Sequence, residues 1–169
     1  GRGIRKIASE GDLRIQLPQA RSEALAAFGN DNVYIEKCVE SPRHIEVQIL
    51  ADEHGNVLHL GTRDCSIQRR HQKLLEIAPA DLPSNVLDAI HATAISAARQ
   101  AGYVNAGTVE FLVDPKTNEF WFMEVNTRLQ VEHPVTEILT GIDIIRQQVI
   151  LAEGGRLNIP EERVHLVGK

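Results

Sequence analysis

Thr108-Val109-Glu110-Phe111-Leu112-Val113-Asp114-Pro115-Lys116-Thr117-Asn118-Glu119-Phe120-Trp121-Phe122-Met123-Glu124-Val125 decides the fold class of this chain. Two β-rich runs, 108–113 and 119–125, flank an Asp-Pro-Lys-Thr-Asn turn, which reads as an antiparallel hairpin. Each run carries one glutamate near its outer end. A loop of three or five residues sets Glu110 opposite Glu124 and Leu112 opposite Phe122, with facing Cβ atoms ~4.5–5.5 Å apart. A four-residue loop slips the register by one and sends the two glutamates to opposite faces, where one is simply solvated. In the first register the paired like charges need a proton or a cation between them. Hard oxygen ligands at that spacing suit Mg²⁺ or Mn²⁺, and Asn126 adds a neutral oxygen on the same face.

Working outward, Val33, Ile35, Lys37 and Val39 alternate with Tyr34, Glu36 and Cys38, which predicts a strand that Ser41-Pro42 ends. Ile45, Val47 and Ile49 alternate with His44, Glu46 and Gln48 in a second strand. A turn over 52–56 leads to a third, Val57 to Leu60. Helices are expected over 22–28, capped by Ser22 and stopped by Gly29, and from a Ser84 cap to Gly102, with Leu87, Ile90, Ala94, Ala97, Ala98 and Ala101 as the apolar stripe. A last helix is expected over 142–152. Antiparallel strands flanked by helices make the class α+β.

The 169 residues suffice for one domain with a real core. No apolar run approaches the ~20 residues of a membrane span. The net charge of −5 argues against general nucleic-acid binding. Cys38 and Cys65 have no CxxC or zinc spacing and read as thiols, consistent with a reducing, cytosolic-type compartment or a mitochondrial matrix. The chain opens without Met on Gly1-Arg2-Gly3, so it is expected to be cut from something longer. Gly1 and Gly3 could end a phosphate-cradling loop.

Two polar concentrations stand out. Arg63, Arg69, Arg70, His71 and Lys73 fall within eleven residues of this acidic chain. That loop is either solvated or makes discrete anion contacts through Gln68, His71 and Lys73, and it has no aromatic residue for base stacking. The second concentration is Asn126, Thr127, Arg128, Gln130, Glu132 and His133, followed by a stiffening Pro134. Arg128 offers a planar fork for a carboxylate or bicarbonate. Glu132 could act as a general base beside it. The plain alternative is a solvated loop with a surface ion pair.

Together these residues resemble the ATP-grasp module of biotin carboxylase, the component shared by biotin-dependent carboxylases. The resemblance rests on Tyr34-Ile35-Glu36-Lys37, Pro42 to Gln48, Arg63 to Lys73, Gly107 to Phe111 and Glu124 to Glu137, in family order. Asn126-Thr127-Arg128 and His133-Pro134 are closer to acyl-CoA carboxylases than to pyruvate carboxylase. Carbamoyl-phosphate synthetase is the nearest rival, and the QVEHPVTE run sets it aside.

The resemblance implies a role for each candidate. Glu110, Glu124 and Asn126 would hold Mg²⁺ or Mn²⁺. Glu36, Lys37 and Leu112 would lie at the adenine, and His44, Gln68 and His71 would line the nucleotide site. Lys73, Arg128, Gln130 and the backbone of Val131 would hold bicarbonate, and Glu132 would deprotonate it. ATP and bicarbonate would yield carboxyphosphate, and biotin on a carrier protein would be carboxylated, with a carboxyltransferase component as partner and a homo-oligomeric full-length protein. Residues 1–38 would end a lid subdomain, and 39–169 would form the main catalytic part. Preceding and following domains are expected to be absent, leaving the isolated chain inactive.

Overall fold

The computed structural model describes residues 4–70 and 72–159. They fall into two compact units that divide between Glu40 and Ser41. The first contains helix α1, Glu10–Phe28, capped by Ser9 Oγ accepting from Asp12 N at 3.1 Å and closed by Gly29 in the left-handed region. The helix is longer than the expected 22–28. Pro18 lies inside it and none of its residues is buried, so no apolar period marks its length. The expected strand over 33–39 is absent: residues 30–39 are irregular, with Tyr34 and Ile35 exposed. Alternation makes a strand only where another strand completes its hydrogen bonds, and none does so here among the described residues.

The second unit is a five-stranded antiparallel sheet. Its strands are β1, Arg43–Ala51; β2, Val57–Arg69; β3, Gln72–Ile77; β4, Asn105–Val113; and β5, Phe120–Asn126, in the spatial order β3-β2-β1-β4-β5. The expected basic loop is therefore the β2–β3 hairpin. β2 runs nine residues past its expected end at Leu60 because its N–H and C=O groups are paired with β1 and β3. Helix α2, Ser84–Gln100, covers one face. Its cap residue is Pro83, whose carbonyl accepts from Val86 N and Leu87 N, so Ser84 is the first helical residue and caps nothing. The buried stripe is Val86, Ile90, Ala94 and Ala98: the last three are as expected, and Val86 is buried where Leu87 was expected. This stripe packs on Ile45, Val47, Ile49, Val109, Phe111 and Val113.

Two short helices follow the sheet: α3, His133–Thr140, and α4, Ile144–Ala152. Sequence reasoning missed α3 by treating Pro134 as a turn former. Proline is favoured in a first helical turn, where its missing N–H is no loss, and Gly141 supplies the left-handed stop. Leu50, Leu58, Leu60, Ala106, Ile144 and Leu151 form a second cluster on the sheet face away from α2.

His91 of α2 stacks on His59 of β2 with ring centroids 3.9 Å apart, and its buried Nε2 has no hydrogen-bond partner among the described residues. Burial, reinforced by His59, pushes the His91 pKa down from 6.5 to about 4, with Asp88 acting in the other direction. The fold therefore favours neutral His91, and the unfolded chain binds more protons between those two values. Stability is fully present above pH ~6.5 and falls as pH drops towards ~4. His91→Gln is expected to flatten this part of the stability profile. Urea midpoints at pH 7 and 5 check it; parallel losses in both proteins would refute it.

Candidate active site

The sheet face away from α2 is apolar at one end and charged at the other. On β1, Glu46 and Gln48 are fully buried, and so is Thr108 on β4; Glu110 is 3% exposed. Register explains the grouping. Arg63 of β2 is opposite Glu46, Glu46 is opposite Glu110, and Glu110 is opposite Glu124. Four charged residues thus form one row across four strands. Gln48, Thr108 and Asn126 form the next row, and His44, Leu112 and Trp121 the one on the other side.

Two bulges create that row. The β1–β2 register shifts between Val47 and Ile49, where Gly61 adopts φ +87°. Without the shift, Arg63 would point to the α2 face. The β4–β5 register shifts between Glu110 and Phe111. Near the turn Val113 pairs with Phe120, Leu112 with Trp121 and Phe111 with Phe122, leaving an even loop that would have set Glu110 opposite Met123. The extra residue, Met123, restores Glu110 opposite Glu124. The expected Leu112–Phe122 pairing is thus incorrect and the Glu110–Glu124 pairing correct. Each register weighed from the sequence occupies one end of the hairpin. Bulges beside functional sites re-aim side chains in this way.

At the centre of the charged end is Lys73 of β3. Its Nζ donates to Glu46 Oε2 at 2.5 Å, Glu132 Oε1 at 2.6 Å and Glu110 Oε1 at 3.0 Å. Burial works against the ammonium, but the charge of Glu46 and the hydrogen bonds that Lys73 donates to Glu132, Glu46 and Glu110 outweigh it and raise the Lys73 pKa above the usual lysine range. Burial likewise disfavours the Glu110 carboxylate, yet His44 beside it and the hydrogen bonds it accepts from Gln130 and Lys73 hold its pKa well below the ordinary value. Glu132 is lowered too: burial opposes its charge, and Lys73 more than compensates. Lys73, Glu110 and Glu132 are therefore ionic at neutral pH.

Gln130 is 6% exposed and stitches the loop after β5 to the sheet. Its Nε2 donates to Glu110 Oε1 at 3.0 Å, and its Oε1 accepts from Thr108 Oγ1 at 2.9 Å. His44 Nε2 lies 2.9 Å from Glu110 Oε2, at ion-pair distance but without hydrogen-bond geometry. Gln68 Nε2 is 2.9 Å from His44 Nδ1.

The structure thus gathers Lys73, Glu132, Glu110, Gln130, His44 and Gln68. Leu112 sits beside them, half-buried. Glu124, Arg128 and Val131 are solvent-exposed at the rim, with Arg128 Nη1 donating to Leu129 O at 3.2 Å, and Asn126 is half-buried. Glu36 and Lys37 belong to the first unit, where they border a cavity of about 1300 Å³ beside α1. Gly1, Gly3 and His71 lie outside the described residues. Sequence reasoning gave no role to Arg63, Glu46, Gln48, Thr108 or Thr136, all buried polar residues on this face. The one signal for Glu46 and Gln48 was their place on the polar side of an alternating strand.

The donor set fits a hard divalent cation. Glu110 is held ionised, Glu124 lies opposite it, and Asn126 adds an amide oxygen in the next row. Glu110 already accepts hydrogen bonds, but a carboxylate has about four lone-pair sites and can share them with an ion. His44, Glu46 and Glu110 also place ligand atoms within 4.8 Å of one another. No helix among the described residues is long and apolar enough to cross a membrane.

Comparison with known proteins takes in nearly the whole chain. The family model described as "Carbamoyl-phosphate synthase L chain, ATP binding domain" matches residues 1–160. Pyruvate carboxylase of Bacillus subtilis is 52% identical, over 96% of this chain and 14% of its own length. Biotin carboxylase of a Nostoc species is 53% identical, over 99% of this chain and 38% of its own. The two identities are nearly equal and favour neither name. Among solved structures, a biotin carboxylase–β,γ-ATP complex from Campylobacter jejuni matches with a TM-score of 0.89 at 52% identity, covering 98% of this chain and 37% of that one. The biotin carboxylase domain dimer of Hydrogenobacter thermophilus 2-oxoglutarate carboxylase, with MgADP, ADP and bicarbonate, matches with a TM-score of 0.88 at 47% identity, over 99% and 37%. The chain thus spans 14% to 38% of the length of these relatives. The family name is that of the rival weighed above, whereas the half-identical relatives bear the names that the Glu124 to Glu137 run resembles. With residues 1–160 matched, the chain belongs to the family of the carbamoyl-phosphate synthase L chain ATP-binding domain, and its relatives at about half identity are biotin carboxylases and pyruvate carboxylases.

Proposed function

We propose that this chain is part of an ATP-dependent biotin carboxylase, and that the charged end of its sheet is where phosphate, metal and bicarbonate meet. One observation carries the reading: the Lys73 ammonium lies within 3.0 Å of carboxylate oxygens of Glu46, Glu110 and Glu132, and the first two of these belong to the row that also contains Glu124. Glu110, Glu124 and Asn126 would hold Mg²⁺ or Mn²⁺, which would offset the charge of the nucleotide phosphates. Glu36, Lys37 and Leu112 are assigned to the adenine, His44, Gln68 and His71 to the rest of the nucleotide, and Gly1 and Gly3 to a phosphate loop. Residues 1–38 are assigned to the end of a lid subdomain and 39–169 to the main catalytic part.

Lys73, Arg128, Gln130 and the backbone N–H of Val131 are assigned to bicarbonate. An amide has two N–H donors, and Gln130 gives one to Glu110, so the other serves the substrate. Glu132 is held ionised and can take the bicarbonate proton. The freed oxygen attacks the γ-phosphorus of ATP, the bond to ADP breaks, and carboxyphosphate forms. Carboxyphosphate releases CO₂, and the phosphate left behind removes the N1 proton of biotin, which attacks the CO₂. Positioning and fixed charges supply most of what such a phosphoryl transfer needs. The biotin is assigned to a carrier protein, with a carboxyltransferase component consuming the product, in a homo-oligomeric parent working in a cytosolic-type compartment.

The full-length parent is expected to hydrolyse ATP only when bicarbonate and biotin are both supplied, and the isolated 169-residue chain to turn over negligibly. Steady-state assays of phosphate release on both proteins check this. Hydrolysis by the parent that ignores bicarbonate would sink the reading, and robust biotin-dependent hydrolysis by the 169 residues alone would overturn the second expectation.

A further inference from the structure

Arg63 was grouped by its sequence with a solvated basic loop, but it is the largest of the fully buried side chains, with no exposed surface. It touches no solvent and therefore no substrate. Its guanidinium nevertheless reaches each part of the site. Nε donates to Glu46, Nη1 to Gln48 Oε1 at 2.9 Å and to Thr136 Oγ1 at 2.8 Å, and Nη2 lies 3.5 Å from Gln130 Oε1.

We propose that Arg63 is a positioning residue for bicarbonate use, holding the loop that carries Arg128, Gln130 and Glu132 against the charged row of the sheet. The proposal rests on the reading of the site given above. Three branches leave the guanidinium. Through Glu46 it reaches Lys73 and then Glu132. Through Gln130 it reaches Glu110. Through Thr136 it grips the first half of α3, which begins one residue after Glu132. A guanidinium spreads five donors over three nitrogens in a plane, so it reaches partners too far apart for the single nitrogen of a lysine.

Charge points the same way. Glu46, Glu110 and Glu132 bring three negative charges to this cluster, and Arg63 and Lys73 bring two positive ones. Arg63 takes one oxygen of Glu46, so Lys73 need not neutralise that carboxylate alone. Without Arg63, Lys73 would be the sole cation among three carboxylates. The site would then repel an incoming anion, and Lys73 would be drawn towards Glu46, away from Glu132.

The test uses the full-length parent as wild type, Arg63→Lys and Thr136→Val. Bicarbonate-dependent ATP hydrolysis is measured at varied bicarbonate, ATP binding by titration, and folding by circular dichroism. Arg63→Lys keeps a positive charge for Glu46 but loses the fork. It is expected to raise the KM for bicarbonate by between about tenfold and about a hundredfold. Its Kd for ATP is expected to stay within about twofold of wild type. Thr136→Val removes one branch only and should shift the bicarbonate KM in the same direction by less. A purely structural role would lower kcat in proportion to lost folded protein and leave KM alone. Folded Arg63→Lys with an unchanged bicarbonate KM overturns the proposal. Should that variant fail to fold, Thr136→Val decides in the same way: a raised bicarbonate KM supports the proposal and an unchanged one overturns it. A wild-type parent without bicarbonate-dependent hydrolysis would remove the underlying reading instead.

Discussion

Glu132→Gln in the full-length parent is expected to lower bicarbonate-dependent turnover by about 10²- to 10⁴-fold, the contribution typical of a general base, while ATP still binds. Glutamine keeps the shape of Glu132 and an oxygen for Lys73, whose Nζ lies 2.6 Å from Glu132 Oε1. It cannot take a proton. Lys73 would keep Glu46 and Glu110 as partners, so the cluster should survive. Nucleotide binding is assigned to other residues and should be untouched. Steady-state kinetics with a parallel ATP titration check both halves, and unchanged turnover would remove Glu132 from its role as base.

Glu46→Ala is expected to have the largest effect on stability. Glu46 has no exposed surface and joins two cations, Arg63 and Lys73. Arg63 is equally buried, so it would lose its counter-ion with no water to replace it. Breaking one partner of a buried pair costs about 3–5 kcal/mol, because a charge is left uncompensated. Glu46→Gln keeps an acceptor for Arg63 and should cost less. Urea unfolding of the chain followed by circular dichroism gives the difference. A cost for Glu46→Ala at the level of an exposed ion pair, about 1 kcal/mol or less, would contradict this account of the sheet face.

Much of the second unit could be read in its sequence, and the limits have physical causes. Local signals located β1, β4, β5, α2 and α4, because apolar alternation and helical periods follow from which faces are buried. The same logic failed over 33–39, where alternation is present but no neighbouring strand is found among the described residues. It also hid the nature of the β1 face. An alternating strand ordinarily turns its polar side to water. Here Lys73, Gln130, Glu132 and Thr136 come from distant segments to cover Glu46 and Gln48, and sequence neighbours give no hint of that. Arg63 shows the limit most sharply. Among four other basic residues within eleven positions it looks solvated, yet the bulge at Gly61 turns it inward.

The hairpin register shows a different limit. Loop length decides which face each glutamate takes, but a bulge can reverse the choice after the turn. The sequence offered two alternatives, and the chain uses both, one on either side of Met123. Lys73, Gln130 and Glu132 stood out because the Arg63–Lys73 and Glu124–Glu137 runs are long and unusual in composition, and Glu110 because one hairpin register set it opposite Glu124. The supporting residues Glu46, Thr108 and Thr136 were not, since a threonine or glutamate on a strand or helix has no signature until its partners are known.

The central claim is that this sheet face serves carboxylation of biotin and not a different ATP-dependent ligation. The most direct measurement is the fate of carbon from radiolabelled bicarbonate supplied with ATP and Mg²⁺ to the full-length parent and its biotinylated carrier. The account predicts ATP-dependent label on the biotin of the carrier, lost in Glu132→Gln. Label that appears in carbamoyl phosphate, or that never reaches biotin while ATP is consumed, would contradict it.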